Sequence, residues 1–243
     1  IIYIDATNLY GAAMKGLLGW GNFLWADPSL FDTAYILGLD PEGSTGFTFD
    51  VDLECDPSHH DILNDFPLAP SSLDINETLI SPYSQNIRKI RNMPAEFSRK
   101  KLAPSFLPKT HYVVALPNLQ YYLNNGYTLK AVHRVISYSQ KKWMDPFISD
   151  LSEKRRDTNC KFEKLRYKLT ANASFGKLLQ NCRDYSQMKI ITNEQQHQYQ
   201  TRKPSFKQFT IFDEDIVALE LGKDVVTLDR PIYCGFSVLE QSK

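Results

Sequence analysis

Apolar and polar positions follow a period of two along parts of this chain and a helical period along others. Phe47, Phe49, Val51 and Leu53 alternate with polar neighbours, which predicts a half-buried strand over Gly46–Glu54. Thr33–Asp40 reads as a second strand, joined to it across Pro41-Glu42-Gly43-Ser44-Thr45. Ahead of both, Ala12 to Trp25 is apolar and aromatic, but Gly16, Gly19 and Gly21 should break any long element. The chain opens on Ile1-Ile2-Tyr3-Ile4-Asp5, the pattern of a buried strand that ends on one carboxylate. Pro57 to Pro82 is expected to be mostly loop, and 86–110, interrupted by Pro94, Pro104 and Pro108, should not form one regular element. His111–Leu116 reads as a short strand. A helix from Pro117 to Asn124 follows, stopped by Asn125-Gly126. Thr128–Tyr138 gives a mixed strand signal, because Val132 and Ile136 fall on the face opposite Leu129, Ala131 and Val135.

From Pro146 to about Asn181 the period becomes helical, with a start signal at Asp150-Leu151-Ser152-Glu153 and a break near Asp157-Thr158-Asn159. On the second of these helices each residue advances about 100°. With Lys161 at zero, Lys164, Lys168, Asn172 and Phe175 fall between about 300° and 20° by that rule, one stripe. Phe162, Leu165, Leu169, Ala173 and Gly176 form a neighbouring apolar stripe, read as the packing face. After Arg183 strands return at Met188–Thr192, Gln208–Asp213, Ile216–Leu221 and Asp224–Leu228, and Pro231–Lys243 is an apolar segment. The order of elements predicts an α+β fold.

Composition changes this picture little: of 243 residues, 42% are hydrophobic and 23% charged, which is ordinary for a globular chain. No apolar run reaches the roughly 20 residues a membrane span needs, so no membrane association is expected. Cys55, Cys160, Cys182 and Cys234 lack paired spacing, which suits a reducing intracellular compartment that is otherwise unspecified. Cys55 with His59 and His60 has no fourth ligand in view and reads as a polar loop. The first residue is Ile, so the sequence is expected to be a piece of a longer protein.

Net charge is zero, yet the charges are segregated. Twelve acids and no Lys or Arg stand between Asp27 and Glu77. Seven bases (Arg88, Lys89, Arg91, Arg99, Lys100, Lys101 and Lys109) face Glu96 alone between Asn86 and His111. A neutral chain can therefore carry a locally positive surface. The lysines of the helical stripe repel one another. Either solvent or a polyanion must offset them, and a triphosphate would fit. A carboxylate at the tip of a rigid strand, as at Asp5, is suited to fixing Mg²⁺ against such a triphosphate. Asp5 equally suits a helix N-cap, and Tyr10 a core aromatic.

Two blocks carry a resemblance. Asp5-Ala6-Thr7-Asn8-Leu9-Tyr10-Gly11 and Lys168-x-x-x-Asn172-x-x-Phe175-Gly176 resemble motifs A and B of family B DNA polymerases, most of all the protein-primed branch of phages, linear plasmids, viruses and Maverick/Polinton transposons. Phrases between and after them are similar too: Asp50-Val51-Asp52-Leu53-Glu54, Asn64 to Pro70, His133-Arg134-Val135, Lys203 to Phe212 and Arg230 to Ser237. The resemblance implies a partial right-hand polymerase. Residues 1–20 would be palm, 21–143 a first insertion for terminal protein and primer-template, 144–183 helical fingers, 184–229 a strand-displacement insertion, and 230–243 a return to palm.

It further implies that Asp5 is catalytic and, with the Ala6 carbonyl, binds the two Mg²⁺ ions. Asn8, Leu9, Tyr10, Arg156, Lys164, Lys168 and Asn172 would meet the incoming dNTP, with Tyr10 as a gate against a 2′-hydroxyl. Phe175, Gly176 and Lys177 would meet DNA, the glycine allowing close approach. The family's second metal motif, Tyr-x-Asp-Thr-Asp-Ser, does not occur in the 243 residues, nor do the exonuclease and thumb segments. The metal site implied is thus incomplete, and the polypeptide alone is expected to be inactive. The alternative is a non-catalytic remnant that binds DNA or nucleotide.

Overall fold

A computed structural model describes residues 8–94 and 99–243, so the strand expected at 1–5 lies outside the described residues. Along the chain run α1 (Leu9–Met14), β1 (Leu18–Ala26), α2 (Thr33–Gly38), β2 (Thr45–Cys55), α3 (His60–Leu63), β3 (Ser71–Ile75) and α4 (Pro82–Ile90). Next come β4 (Arg99–Ala103), β5 (Lys109–Ala115), α5 (Leu116–Asn124), β6 (Tyr127–Lys141), α6 (Asp145–Asp157) and α7 (Lys161–Leu178). The chain continues through β7 (Ser186–Ile191), α8 (Glu194–Thr201), β8 (Phe206–Asp213), β9 (Ile216–Gly222) and α9 (Ile232–Gln241). The fold is α+β. It divides into two compact units, one of Gly16–Trp143 with Glu240–Lys243, the other of Met144–Leu239 with the residues up to Lys15.

The first unit is built on an antiparallel sheet in the order β1-β6-β2-β5. β2 runs through its middle, and its alternation buries Phe49, Val51, Leu53 and Cys55 on one face. Ile36 from α2 and Leu116, Leu119 and Tyr122 from α5 close over that face with Phe31. The Phe31 ring stands edge-on to Phe49 at 5.5 Å and to Phe47 at 5.7 Å. On the other face Asp50 is buried, and the Arg134 guanidinium grips its Oδ2 through Nε at 3.0 Å and Nη2 at 2.8 Å. His111 donates its backbone N–H to Asp52 at 2.8 Å, and His133 Nε2 approaches the same oxygen at 2.9 Å. The His111 N–H and then the His133 bond hold the Asp52 carboxyl below the usual carboxylate range. The phrases Asp50–Glu54 and His133–Val135, far apart in sequence, thus meet across β2 and β6.

Several expectations need correction in this unit. Thr33–Asp40 is not a strand but holds the short helix α2, because Asp32 caps it by accepting the Tyr35 N–H at 2.7 Å. The glycines of 12–25 do not prevent a strand; β1 passes through Gly19 and Gly21 with register shifts at each. The Pro57–Pro82 stretch contains α3 and β3, and β3 pairs with β4. β6 is 15 residues long and its signal was mixed for a reason: it pairs on both sides, with bulges that switch faces midway. Lys109 does not join a basic surface. It is buried against the hydroxyls of Ser71 (3.1 Å) and Ser105 (2.8 Å), and burial pushes its ammonium pKa down. Gly126, at φ 86, ends α5 where an added Cβ would strike the His59 ring. Buried Glu240 accepts the Ala115 N–H at 3.1 Å and the Asn118 amide at 3.0 Å, at the start of α5.

In the second unit, β9 lies between β7 and β8 and buries Ala218, Leu219 and Leu221. The strands expected near 188, 208 and 216 are present, but Asp224–Leu228 is irregular. Glu194–Thr201 is a helix that apolar periodicity could not reveal, since it is nearly all polar; Asn193 caps it from its side-chain oxygen at 2.8 Å from the Gln195 nitrogen. The apolar segment after Pro231 forms α9, and Gly235 admits Leu179 where a Cβ would overlap it. No helix among the described residues is long and apolar enough to cross a membrane.

Candidate functional site

α6 and α7 are separated where the sequence suggested. Thr158, in the break, accepts the Cys160 N–H at 3.2 Å and donates its hydroxyl to the Glu163 carboxylate, which turns the chain into α7. α6 carries Asp145 in its first turn and Lys154, Arg155 and Arg156 in its last, the arrangement its macrodipole favours. Lys15, following α1, reaches Asp145 at 3.6 Å.

The face of α7 that packs is not the one expected. Phe162, Leu165 and Leu169 are 71%, 53% and 55% exposed, whereas Ala171 and Leu178 are buried and Tyr167, Ser174 and Phe175 half-buried. On the helical wheel these packed positions lie on the other side of the lysines, at about 220° to 320° from Lys161. α6 supplies Ile148 and Leu151 as its buried residues. The physical reason is that the small residues Ala171 and Ser174 on this side admit a neighbouring helix closely, and Leu178 is buried on the same side.

The lysine stripe therefore borders the packed side. Lys164 and Lys168 line a cavity of ≈ 520 Å³ together with Asn8, Arg155, Arg156, Ser152 and Tyr167, floored by Leu151 and Ala171. Four cations share it, and among the described residues no carboxylate lines it. Such a concentration of like charge in a concave site raises the local potential for a polyanion. Asn8 has a left-handed backbone (φ 59, ψ 46), and its side chain makes no capping bond to α1. It lies instead over Gly11, where an added Cβ would come within 2.1 Å of its Nδ2.

Beside these helices Tyr10 stacks on Phe175, ring centroids 4.3 Å apart and planes within 10°. Tyr10 remains 41% exposed. Residues of both sequence blocks are thereby in contact across more than 160 positions.

Other residues named from sequence are placed differently. Leu9 is exposed, and Asn172 is exposed on α7 and does not line the cavity. Gly176 has open space within 4 Å of the Cβ position, so no close approach within the described residues explains it. Lys177 is exposed and donates to Gln180 Oε1 at 2.7 Å. Asp5 and Ala6 lie outside the described residues. Among the described residues no group of His, Cys, Asp and Glu is placed to hold a metal ion. Sequence reasoning missed Arg155, Ser152 and Tyr167. The available signal was helical spacing on α6: Arg155 stands four residues after buried Leu151 and seven after buried Ile148.

No protein-family model matches the sequence, and no curated protein matches it. Solved structures do. Phi29 DNA polymerase complexed with primer-template DNA and incoming nucleotide substrates matches with a TM-score of 0.53 and 14% identity, over 98% of this chain and 33% of that one. The fold resembles part of phi29 DNA polymerase. The orthorhombic crystal form of the same enzyme gives 0.51 and 12%, and its binary complex with primer-template DNA 0.50 and 13%. This chain spans about a third of the length of those structures, which matches 98% of its own. At such identity the likeness is one of fold.

Proposed function

We propose that the chain is the palm-and-fingers portion of a DNA polymerase of the protein-primed family B type, acting in template-directed transfer of a deoxynucleotide to a primer 3′-hydroxyl. The observation that carries this reading is the cavity between α6 and α7, lined by four cations and by no carboxylate among the described residues, in the same unit as the stacked Tyr10–Phe175 pair. In this reading the ammonium groups of Lys164 and Lys168 and the guanidiniums of α6 bind the triphosphate and spread their charge over its oxygens. Asn8 donates its amide to the same group. Tyr10, backed by Phe175, occupies the space a ribose 2′-hydroxyl would need.

Mg²⁺ would be held by Asp5, the Ala6 carbonyl and oxygens of the nucleotide itself, since the described lining offers no anionic ligand. When bound it would brace the attacking and leaving oxygens of the displacement. Asp5 has no partner carboxylate from a Tyr-x-Asp-Thr-Asp-Ser motif in these 243 residues. The polypeptide by itself is therefore proposed to bind nucleotide and DNA without extending a primer. Terminal-protein contact by the β1–β6 unit and strand displacement by the β7–β9 sheet belong to the same proposal.

The gate role makes a specific prediction. Tyr10→Val removes the ring and should leave Mg–dATP affinity within about threefold while raising Mg–ATP affinity, so that the ratio of the two falls about tenfold. Competition binding on the 243-residue chain measures it. An unchanged ratio in the variant would remove Tyr10 from sugar selection.

A further inference from the structure

The sheet of the second unit carries a cavity to which neither α6 nor α7 contributes. α8 packs on β7 and β9, and the half-buried His197 ring meets Phe209 of β8 edge-on at 5.6 Å. Beside that contact lies a cavity of ≈ 450 Å³, floored by Phe209, Ile211 and Val217. Phe209 stands opposite Leu219 and Ile211 opposite Val217, so both share the face on which Leu219 is fully buried. Yet Phe209 is 50% and Ile211 64% exposed. The apolar face thus continues onto the edge strand β8 with its side chains open to water.

The rim is anionic. Asn193 caps α8 and so sets Glu194 in its first turn, at the cavity, where it accepts the Gln198 amide at 3.3 Å. Glu214 and Asp215 form the turn between β8 and β9 on the same rim. None of these three carboxylates forms an ion pair with a described residue, and among those residues no lysine or arginine lines the cavity. Phosphates of a nucleic acid would be repelled here, so DNA does not fit this face. A segment that is basic but polar throughout would leave Phe209 and Ile211 in water.

We propose that this cavity docks a short segment of a partner protein with an apolar centre flanked by lysine or arginine. The apolar centre covers Phe209 and Ile211, and the flanking cations pair with Glu194, Glu214 and Asp215. Because the two halves of the recognition act on different parts of the segment, neither charge nor apolarity alone suffices, which is the basis of selectivity.

The test uses the 243-residue chain and three fluorescein-labelled peptides, read by anisotropy: Lys-Leu-Phe-Leu-Lys, Glu-Leu-Phe-Leu-Glu and Lys-Ser-Ser-Ser-Lys. The first should bind, and the other two should bind about tenfold more weakly or less. Glu214→Gln combined with Asp215→Asn should weaken the first peptide about fivefold or more, and Ile211→Ser by a similar factor. Ile190→Ser, at an exposed residue of β7 outside the cavity, should change it less than twofold. Both Ile211 and the turn carboxylates are exposed, so these changes leave the core intact, and equal urea midpoints verify it. Equal binding of the three peptides, or an Ile190→Ser loss as large as that of Ile211→Ser, overturns the proposal. So does sedimentation of the chain alone as a dimer that Ile211→Ser dissolves, since the occupant would then be a second copy.

Discussion

Replacing Lys168 by glutamine is expected to weaken Mg–dATP binding by about 10- to 100-fold. A hydrogen bond to a charged group is worth about 1.5–3 kcal/mol, and each 1.4 kcal/mol is about tenfold in affinity. Lys168 qualifies because it stands in a concave site with Lys164 and two arginines, with no carboxylate among the described lining residues to compete for it. Glutamine is almost as good a helix former as lysine, so α7 should be unaffected. Lys177→Gln is the internal control: it removes a lysine from the same helix, one outside the cavity whose ammonium already bonds Gln180, and should alter affinity less than twofold. Calorimetric titration of the two variants compares them directly. Equal losses would reduce the effect to overall helix charge.

The largest stability effect is expected at Phe49. It is fully buried at the centre of the first unit, in β2, with Phe31 edge-on at 5.5 Å and Phe47 at 6.2 Å. Truncation to alanine loses the transfer free energy of the ring and leaves a cavity, together about 3–5 kcal/mol. Part of that comes from the aromatic pairs, at about 0.5–1.5 kcal/mol each beyond area burial. Urea unfolding followed by far-UV circular dichroism should show the loss in the first unit's transition. A loss under about 1 kcal/mol would mean that the aromatic cluster relaxes to fill the space.

What could be read from sequence followed the strength of local signals. β2 and the α6–α7 break were legible because alternation and the Asp157-Thr158-Asn159 interruption are decided within a few residues. α2 was misread because the apolar, aromatic content of Tyr35-Ile36-Leu37 suits either element, and the deciding contact is the Asp32 cap. β6 was legible only in part, since a strand paired on both sides with bulges has no single exposed face. α8 carries no apolar stripe at all.

At the site, the lysine stripe was legible as an arithmetic of angles, and the structure brings Lys164, Lys168, Arg156 and Asn8 to one cavity. The packing side of α7 was not, because Phe162, Leu165 and Leu169 are more hydrophobic than the Tyr167–Ala171 side that is used. That error is also why Arg155 went unnoticed: only when α6 packs on the Tyr167–Ala171 side does Arg155 face the lysines. The Asp50–Arg134 and Asp52–His133 pairs were visible as phrases and became intelligible as contacts.

The central claim, that a nucleotide's triphosphate sits against α7 between its lysines and α6, can be tested without any variant. The chain would be pulse-labelled with an amine-reactive reagent with and without saturating Mg–dATP, and each lysine read by peptide mass spectrometry. Lys164 and Lys168 should be protected several-fold by the nucleotide, while Lys177 and Lys161, on the same helix but outside the cavity, should label equally in both conditions. Equal labelling of Lys164 and Lys168 with and without the nucleotide, or protection that falls on Lys177 instead, would contradict it.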